Sequence, residues 1–144
     1  MKGEKFVGCW KLVEFEYHRP DGEIIFPLGK DPIGSLIYHS NGRYSMQISR
    51  HDRPVFTKEY FQNRAPDEFK LAVDGYFAYF GRYTVNEADG IIAHTVEGSL
   101  FPNWIGTEQE RRFQFEGDRL IYDMPMRQQG ADRRTGHLVW ERVK

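Results

Sequence analysis

The sequence predicts an all-β protein: an eight-stranded antiparallel up-and-down β-barrel with one short helix. Three observations carry that expectation. Short stretches rich in aromatic and β-branched residues recur along the chain and alternate apolar with polar positions. The 14 Gly and 7 Pro are dispersed between those stretches, as turns joining many short strands require. The connections alternate between tight and long, so a meander gathers every tight turn at one end of a closed sheet and every long loop at the other. Eight strands enclose an interior that side chains can plug or that one small ligand can fill. A chain of 144 residues supports one core, and residues 1–144 read as one domain.

The first strand is expected over 9–18, and the next two over 34–39 and 43–49, flanking Ser40-Asn41-Gly42. A two-residue turn there would pair His39 with Tyr44. A three-residue turn with Gly42 left-handed pairs Tyr38 with Tyr44 and Leu36 with Met46. Only the second gathers Leu36, Tyr38, Tyr44, Met46 and Ile48 on one face, and it is the register the hydrophobic pattern selects. Ala65-Pro66-Asp67-Glu68 marks a helix start, with Pro in the first turn and acids at the positive dipole end. Phe69, Ala72 and Val73 give that helix, 66–74, one short apolar face, and Gly75 stops it. Strands resume over 76–85, 91–97, 106–116, 119–124 and 137–143. In 106–116, Glu108, Glu110, Arg112, Gln114 and Glu116 alternate toward water, with Gln109, Arg111, Phe113 and Phe115 behind them.

Composition narrows the partners. The net charge is −1 with both signs interspersed, which disfavours nucleic acid. The N-terminal residues show neither a long apolar run nor a cleavage pattern, so neither a membrane span nor a signal peptide is expected. The single cysteine, Cys9, cannot form an internal disulfide and points to a reducing, cytoplasmic location. Packed beside Trp10, it reads as a buried thiol and not a nucleophile. The five His are scattered without metal-ligand spacing and no Gly-rich phosphate loop precedes a helix, so no metal and no cofactor is expected.

Gly8-Cys9-Trp10 opens the first strand and Trp140-Glu141-Arg142 closes the last, both at the expected closed end. This resembles the lipocalin and wider calycin pattern of a Gly-x-Trp covered by a basic residue from the final strand. The resemblance implies that Trp10 plugs the floor and Arg142 stacks across it. A closer likeness, to the bacterial and fungal lipocalin-like domain family, rests on GCWKLVEFEY, DGEIIFPLG, GSLIYHSNGRYSMQI, DGYFAYFGRYTV, HTVEGSLFPNWIGTEQERRF, GDRLIYD and LVWERV. These segments span almost the whole chain. The likeness implies the fold strongly and the function weakly; some members are encoded beside natural-product pathways. Secreted lipocalins carry a leader and a second motif, Thr-Asp-Tyr near the turn at 117–118; here no leader is expected and that motif is missing.

The strands over 76–85, 91–97 and 106–116 carry the candidate chemistry. The phase Ile92, His94, Val96 is the more apolar and puts His94 inside. Phe77, Tyr79, Gly81, Tyr83 and Val85 share the inward phase of their strand. Counting across the connections sets His94 opposite Gly81 on one side and roughly opposite Arg111 on the other, with Gly81 leaving room for a ligand atom. The expected ligand-binding set is His94, Arg111, Tyr79, Gln109, Tyr83, Phe113, Tyr44, Met46 and Trp104. Apolar walls with a few converging polar groups suit a small hydrophobic ligand bearing a carboxylate, phenol or carbonyl. The same set admits a cofactor-independent isomerase, cyclase or hydratase with His94 as base and Arg111 stabilising an enolate. It also admits a purely structural network, with Arg111 paired to an inward acid such as Glu14. Glu14 and Glu16 share the phase of Trp10 and Leu12, while Val13, Phe15 and Tyr17 offer a second apolar phase, so a bulge midway would swap the faces. The apolar loop 98–106, with Leu100, Phe101, Trp104 and Ile105, reads as a lid, a plug on the helix or a homodimer contact. Met124 and Met126 offer adaptable surface at the mouth, where 127–134 forms a basic, polar loop.

Overall fold

The computed structural model describes residues 3–57, 66–125 and 134–144. Among them lie β1 (Gly8–His18), β2 (Ile24–Ile25), β3 (Ile33–Tyr38), β4 (Arg43–Ser49), α1 (Pro66–Asp74), β5 (Tyr76–Asn86), β6 (Ile91–Ser99), β7 (Glu108–Glu116), β8 (Arg119–Pro125) and β9 (Thr135–Arg142). From β3 to β9 each strand pairs with its sequence neighbour, and β1 pairs with both β3 and β9. Eight strands therefore close into the expected barrel. The two-residue β2 is an addition, pairing Ile24 and Ile25 with His18 and Tyr17 at the far end of β1.

The turn between β3 and β4 has the three-residue form. Tyr38 faces Tyr44, Leu36 faces Met46, and Gly42 has φ 86°. Leu36, Tyr38, Tyr44, Met46 and Ile48 are all buried, as one shared inward face requires. The tight β3–β4, β5–β6 and β7–β8 turns lie at one end. The longer connections, with α1 in the β4–β5 connection, lie at the other. The helix carries Asp67 and Glu68 in its first turn and stops where Gly75 N–H reaches the Leu71 carbonyl at 3.2 Å. Its start at Ala65 lies outside the described residues.

A bulge between Leu12 and Glu14 in the β1–β9 pairing exchanges the faces of β1 midway. Trp10 and Leu12 are inward before it; Phe15 is inward after it. Glu14 and Glu16 therefore leave the interior. Glu14 sits 3.6 Å from His137 Nε2, and Glu16 meets the His18 ring at 2.6 Å. Cys9, of opposite phase to Trp10, is exposed and not packed as expected.

The closed end is built on Trp10. Its indole N–H donates to the Phe6 carbonyl at 2.8 Å, which fastens a short 3-10 turn at Glu4–Phe6 beneath the barrel. Phe6 packs edge-on against Phe113 and Phe115. The Arg142 guanidinium lies 4.2 Å from the Trp10 ring centroid and donates to the Val7 and Lys5 carbonyls. The resemblance implied this cation–π lid. Gly8 is what lets it form: at φ 132° a Cβ there would stand 2.8 Å from Arg142 Nη1.

Candidate functional site

Above that floor lies a cavity of about 1000 Å³, in the barrel and at its mouth, that opens among the long connections. Its apolar wall comes from Phe15 and Tyr17 on β1, Leu36 on β3, Met46 and Ile48 on β4, Phe77 and Tyr79 on β5, and Leu138 and Trp140 on β9. Its polar side comes from His94 on β6, Gln109 and Arg111 on β7, and Tyr122 on β8. Leu28, Val73 and Phe101 stand at the mouth, and the space also reaches the β6–β7 seam at Ile91, Glu110 and Arg112.

Strand phase holds on all three walls named in advance. Ile92, His94 and Val96 are 0%, 2% and 1% exposed. Arg111 is buried on the inward face of β7, and Glu108, Glu110 and Arg112 face out. The register differs from the expected one by two residues on each side. His94 faces Tyr83, not Gly81, and Gln109, not Arg111, which instead faces Ile92. The β5–β6 turn closes at Asn86↔Ile91, tighter than the count assumed. A shift of two preserves every side chain's face, so the same groups remain inside. Gly81 also has another purpose. It sits at a bulge where a Cβ would lie 1.9 Å from the Thr95 carbonyl oxygen, so it makes room for backbone and not for a ligand.

Of the nine expected ligand residues, His94, Arg111, Tyr79, Gln109, Met46 and Trp104 line the cavity. Tyr44, Tyr83 and Phe113 do not. They point inward but lie low, near the tight turns. Tyr44 packs its ring 4.4 Å from that of His94, Tyr83 donates to the His39 carbonyl at 2.7 Å, and Phe113 joins the floor. Met124 lines the cavity; Met126 and most of 127–134 lie outside the described residues.

Trp104, in a 3-10 turn at Pro102–Trp104, folds back over the barrel onto Phe77 and Tyr79, with ring centroids 5.1 and 5.4 Å away. Leu100, Phe101 and Ile105 remain exposed on the rim. The loop therefore sends one aromatic side chain inward as a partial cover.

Arg111 lies beneath that cover. Its Nη1 donates to the Glu110 carbonyl at 3.0 Å, and its guanidinium carbon is 5.8 Å from the Trp104 ring centroid. Among the described residues no carboxylate pairs with it, so the expected alternative of an Arg111–Glu14 pair does not form. A buried guanidinium without a counter-ion is costly, and its charge acts across the cavity through a low dielectric. It opposes the upward push that burial gives the hydroxyls of Tyr17, Tyr38, Tyr44 and Tyr122. Burial first, and Arg111 second, hold His94 well below the usual histidine value, so the imidazole is neutral.

The neutral ring joins a phenol pair that the sequence did not single out. Tyr38 Oη lies 2.6 Å from His94 Nε2 and 2.5 Å from Tyr122 Oη. His94 Nδ1 is buried without a hydrogen-bond partner. Two proton arrangements fit. In the first, Tyr122 donates to Tyr38, Tyr38 donates to Nε2, and the imidazole proton sits on Nδ1. One polar group is then left over. In the second, Nε2–H donates to Tyr38 and Tyr38 to Tyr122, which leaves both the Tyr122 hydroxyl proton and the Nδ1 lone pair unbonded. Each such orphan costs about 1–3 kcal/mol when buried, so the first arrangement is favoured. The imidazole proton then sits on Nδ1, out of reach of the cavity.

A closed up-and-down barrel with a plugged floor, an open mouth and a largely apolar cavity holding a few polar groups is an architecture for binding a small molecule. The chain belongs to the lipocalin-like domain family, whose model matches residues 7–143. It is similar to the 4'-hydroxy-3'-methoxypropiophenone carrier protein ppsC of Aspergillus oryzae (strain ATCC 42149 / RIB 40). The two are 33% identical over 107 residues, covering 69% of this chain and 96% of that protein. No solved structure matches the chain. Among the described residues no helix is long and apolar enough to cross a membrane, and no group of three or more His, Cys, Asp or Glu is placed to hold a metal ion.

Proposed function

We propose that the protein is a cytoplasmic carrier that holds a small, largely apolar aromatic ligand bearing a carbonyl, phenol or carboxylate in the barrel cavity. The observation that carries this reading is Arg111, a buried cation with no carboxylate partner among the described residues, on the wall of an otherwise largely apolar cavity. A ligand oxygen supplies what the guanidinium lacks, and Phe77, Tyr79 and Trp104 supply flat apolar surface for a ring. The relative's name, a carrier of an aryl ketone with a phenolic hydroxyl, points to the same chemistry.

Carriage is favoured over turnover by the state of His94. An imidazole held well below 6.5 by burial and a neighbouring cation is a weak base, poorly matched to proton abstraction near neutrality. Calorimetric titration with 4'-hydroxy-3'-methoxypropiophenone, with recovery of the ligand afterwards, tests the proposal. The expected result is saturable one-site binding, unaltered ligand, and at least tenfold weaker binding by Arg111→Met. That loss corresponds to about 1.4 kcal/mol or more, within the range of a charge-assisted hydrogen bond. Binding that is indifferent to Arg111→Met would remove the guanidinium from the site.

A further inference from the structure

We propose that the cavity takes its ligand as an oxyanion (a phenolate, enolate or carboxylate) seated against the Arg111 guanidinium. This deepens the carrier reading and rests on it.

The geometry supplies one donor fork and little that competes with it. Arg111 has spent one N–H on the Glu110 carbonyl and meets no carboxylate among the described residues, which leaves the rest of its donor fork for a ligand. His94 is 2% exposed, lines the same cavity, and has its Nε2 side committed to Tyr38. Its Nδ1 is itself buried out of reach of the cavity, so the ring adds wall and no acceptor that competes for the guanidinium. The remaining titratable groups on the wall do not add negative charge inside. Tyr17, Tyr79 and Tyr122 are phenols. Asp74 lies at the mouth and is held by Lys70 at 2.5 Å. Glu108 and Glu110 are on the outward phase of β7. A neutral phenol bound here offers the guanidinium only a weakly basic hydroxyl oxygen. Releasing its proton to solvent turns that contact into an ion pair with charge-assisted hydrogen bonds in a low dielectric.

The test uses the phenol as its own indicator, since a 4-acyl phenolate absorbs at longer wavelength than the phenol. 4'-Hydroxy-3'-methoxypropiophenone is titrated from pH 5.5 to 9.5, free and saturated with protein, and the phenolate band is followed. The expected outcome is a bound midpoint at least one pH unit below the free one, a tenfold preference for the anion. The 3',4'-dimethoxy ketone, which cannot ionise, is expected to bind at least tenfold more weakly at pH 8. In Arg111→Met, the midpoint shift is expected to vanish; the wild-type titration decides the matter even if that variant folds poorly. A bound midpoint equal to or above the free one, with binding intact, overturns the oxyanion and leaves the carrier standing. Absence of binding by both ketones at every pH overturns the carrier reading and this one with it.

Discussion

Acidification below pH 6.5 acts on the buried imidazole of His94 through the unfolded chain. In the folded barrel, burial and then Arg111 keep this ring neutral well below its ordinary value of 6.5. In the unfolded chain it titrates near that ordinary value. Above pH 6.5 neither state binds the proton, and His94 adds no pH dependence. Below it, the unfolded chain takes up a proton that the folded barrel refuses. Stability then falls by about 1.4 kcal/mol per pH unit until the folded pKa is reached. A domain of this kind has about 5–15 kcal/mol in total, so the loss is readable. The assay is urea unfolding followed by tryptophan fluorescence at half-unit steps from pH 7.5 to 5, on the wild type and on His94→Gln. The two proteins share every other titrating side chain, so the difference between their curves isolates His94. That difference is expected to grow by about 1.4 kcal/mol from pH 7.5 to 5.5, one unit below the ordinary histidine value. An anionic ligand should flatten the wild-type curve by raising the folded pKa. Parallel curves for the two ligand-free proteins would refute the buried, neutral imidazole.

Further outcomes are expected at three positions. Arg142→Ala removes two charge-assisted bonds to the Val7 and Lys5 carbonyls and the cation over Trp10, and should cost about 2–4 kcal/mol in urea unfolding. Arg142→Lys should recover only part of this, because an ammonium cannot span both carbonyls and cover the ring as a planar fork does. Gly81→Ala places a Cβ within 1.9 Å of the Thr95 oxygen and should cost about 3 kcal/mol or more, seen as a collapse of thermal stability or of soluble yield. Trp104→Ser should weaken aryl-ketone binding while leaving the sedimentation coefficient unchanged, because the indole is turned onto Phe77 and Tyr79; a change in mass would instead place it in a contact between copies.

Alternation along the chain tells which face a side chain takes, and there the sequence was informative. His94, Arg111, Gln109 and Tyr79 all point inward as their phases require. Alternation does not tell height along the barrel axis. Tyr44, Tyr83 and Phe113 share the inward phase yet fall beside the tight turns, below the cavity. Nor does it fix register, since sliding a strand by two residues leaves the pattern intact; hence the displaced partners of His94. Tyr38 and Tyr122 could be read as inward, but their meeting joins residues 84 apart in sequence, and only closure of the sheet brings them together. The two competing apolar phases of β1 foreshadowed its bulge. The two-residue β2 is too short to show any period.

The barrel is sealed by its extremities. Val143 N–H reaches the Cys9 carbonyl, β9 lies along β1, and Arg142 clasps the carbonyls of Lys5 and Val7 just ahead of β1. During synthesis the opening strand must therefore wait, unpaired on one side, until the closing strand has left the ribosome. No segment that lacks β9 contains the closed compartment. The high sequence separation of this final seam should also make its formation a slow step of folding, during which the edges of β1 and β8 are open to pairing with other chains.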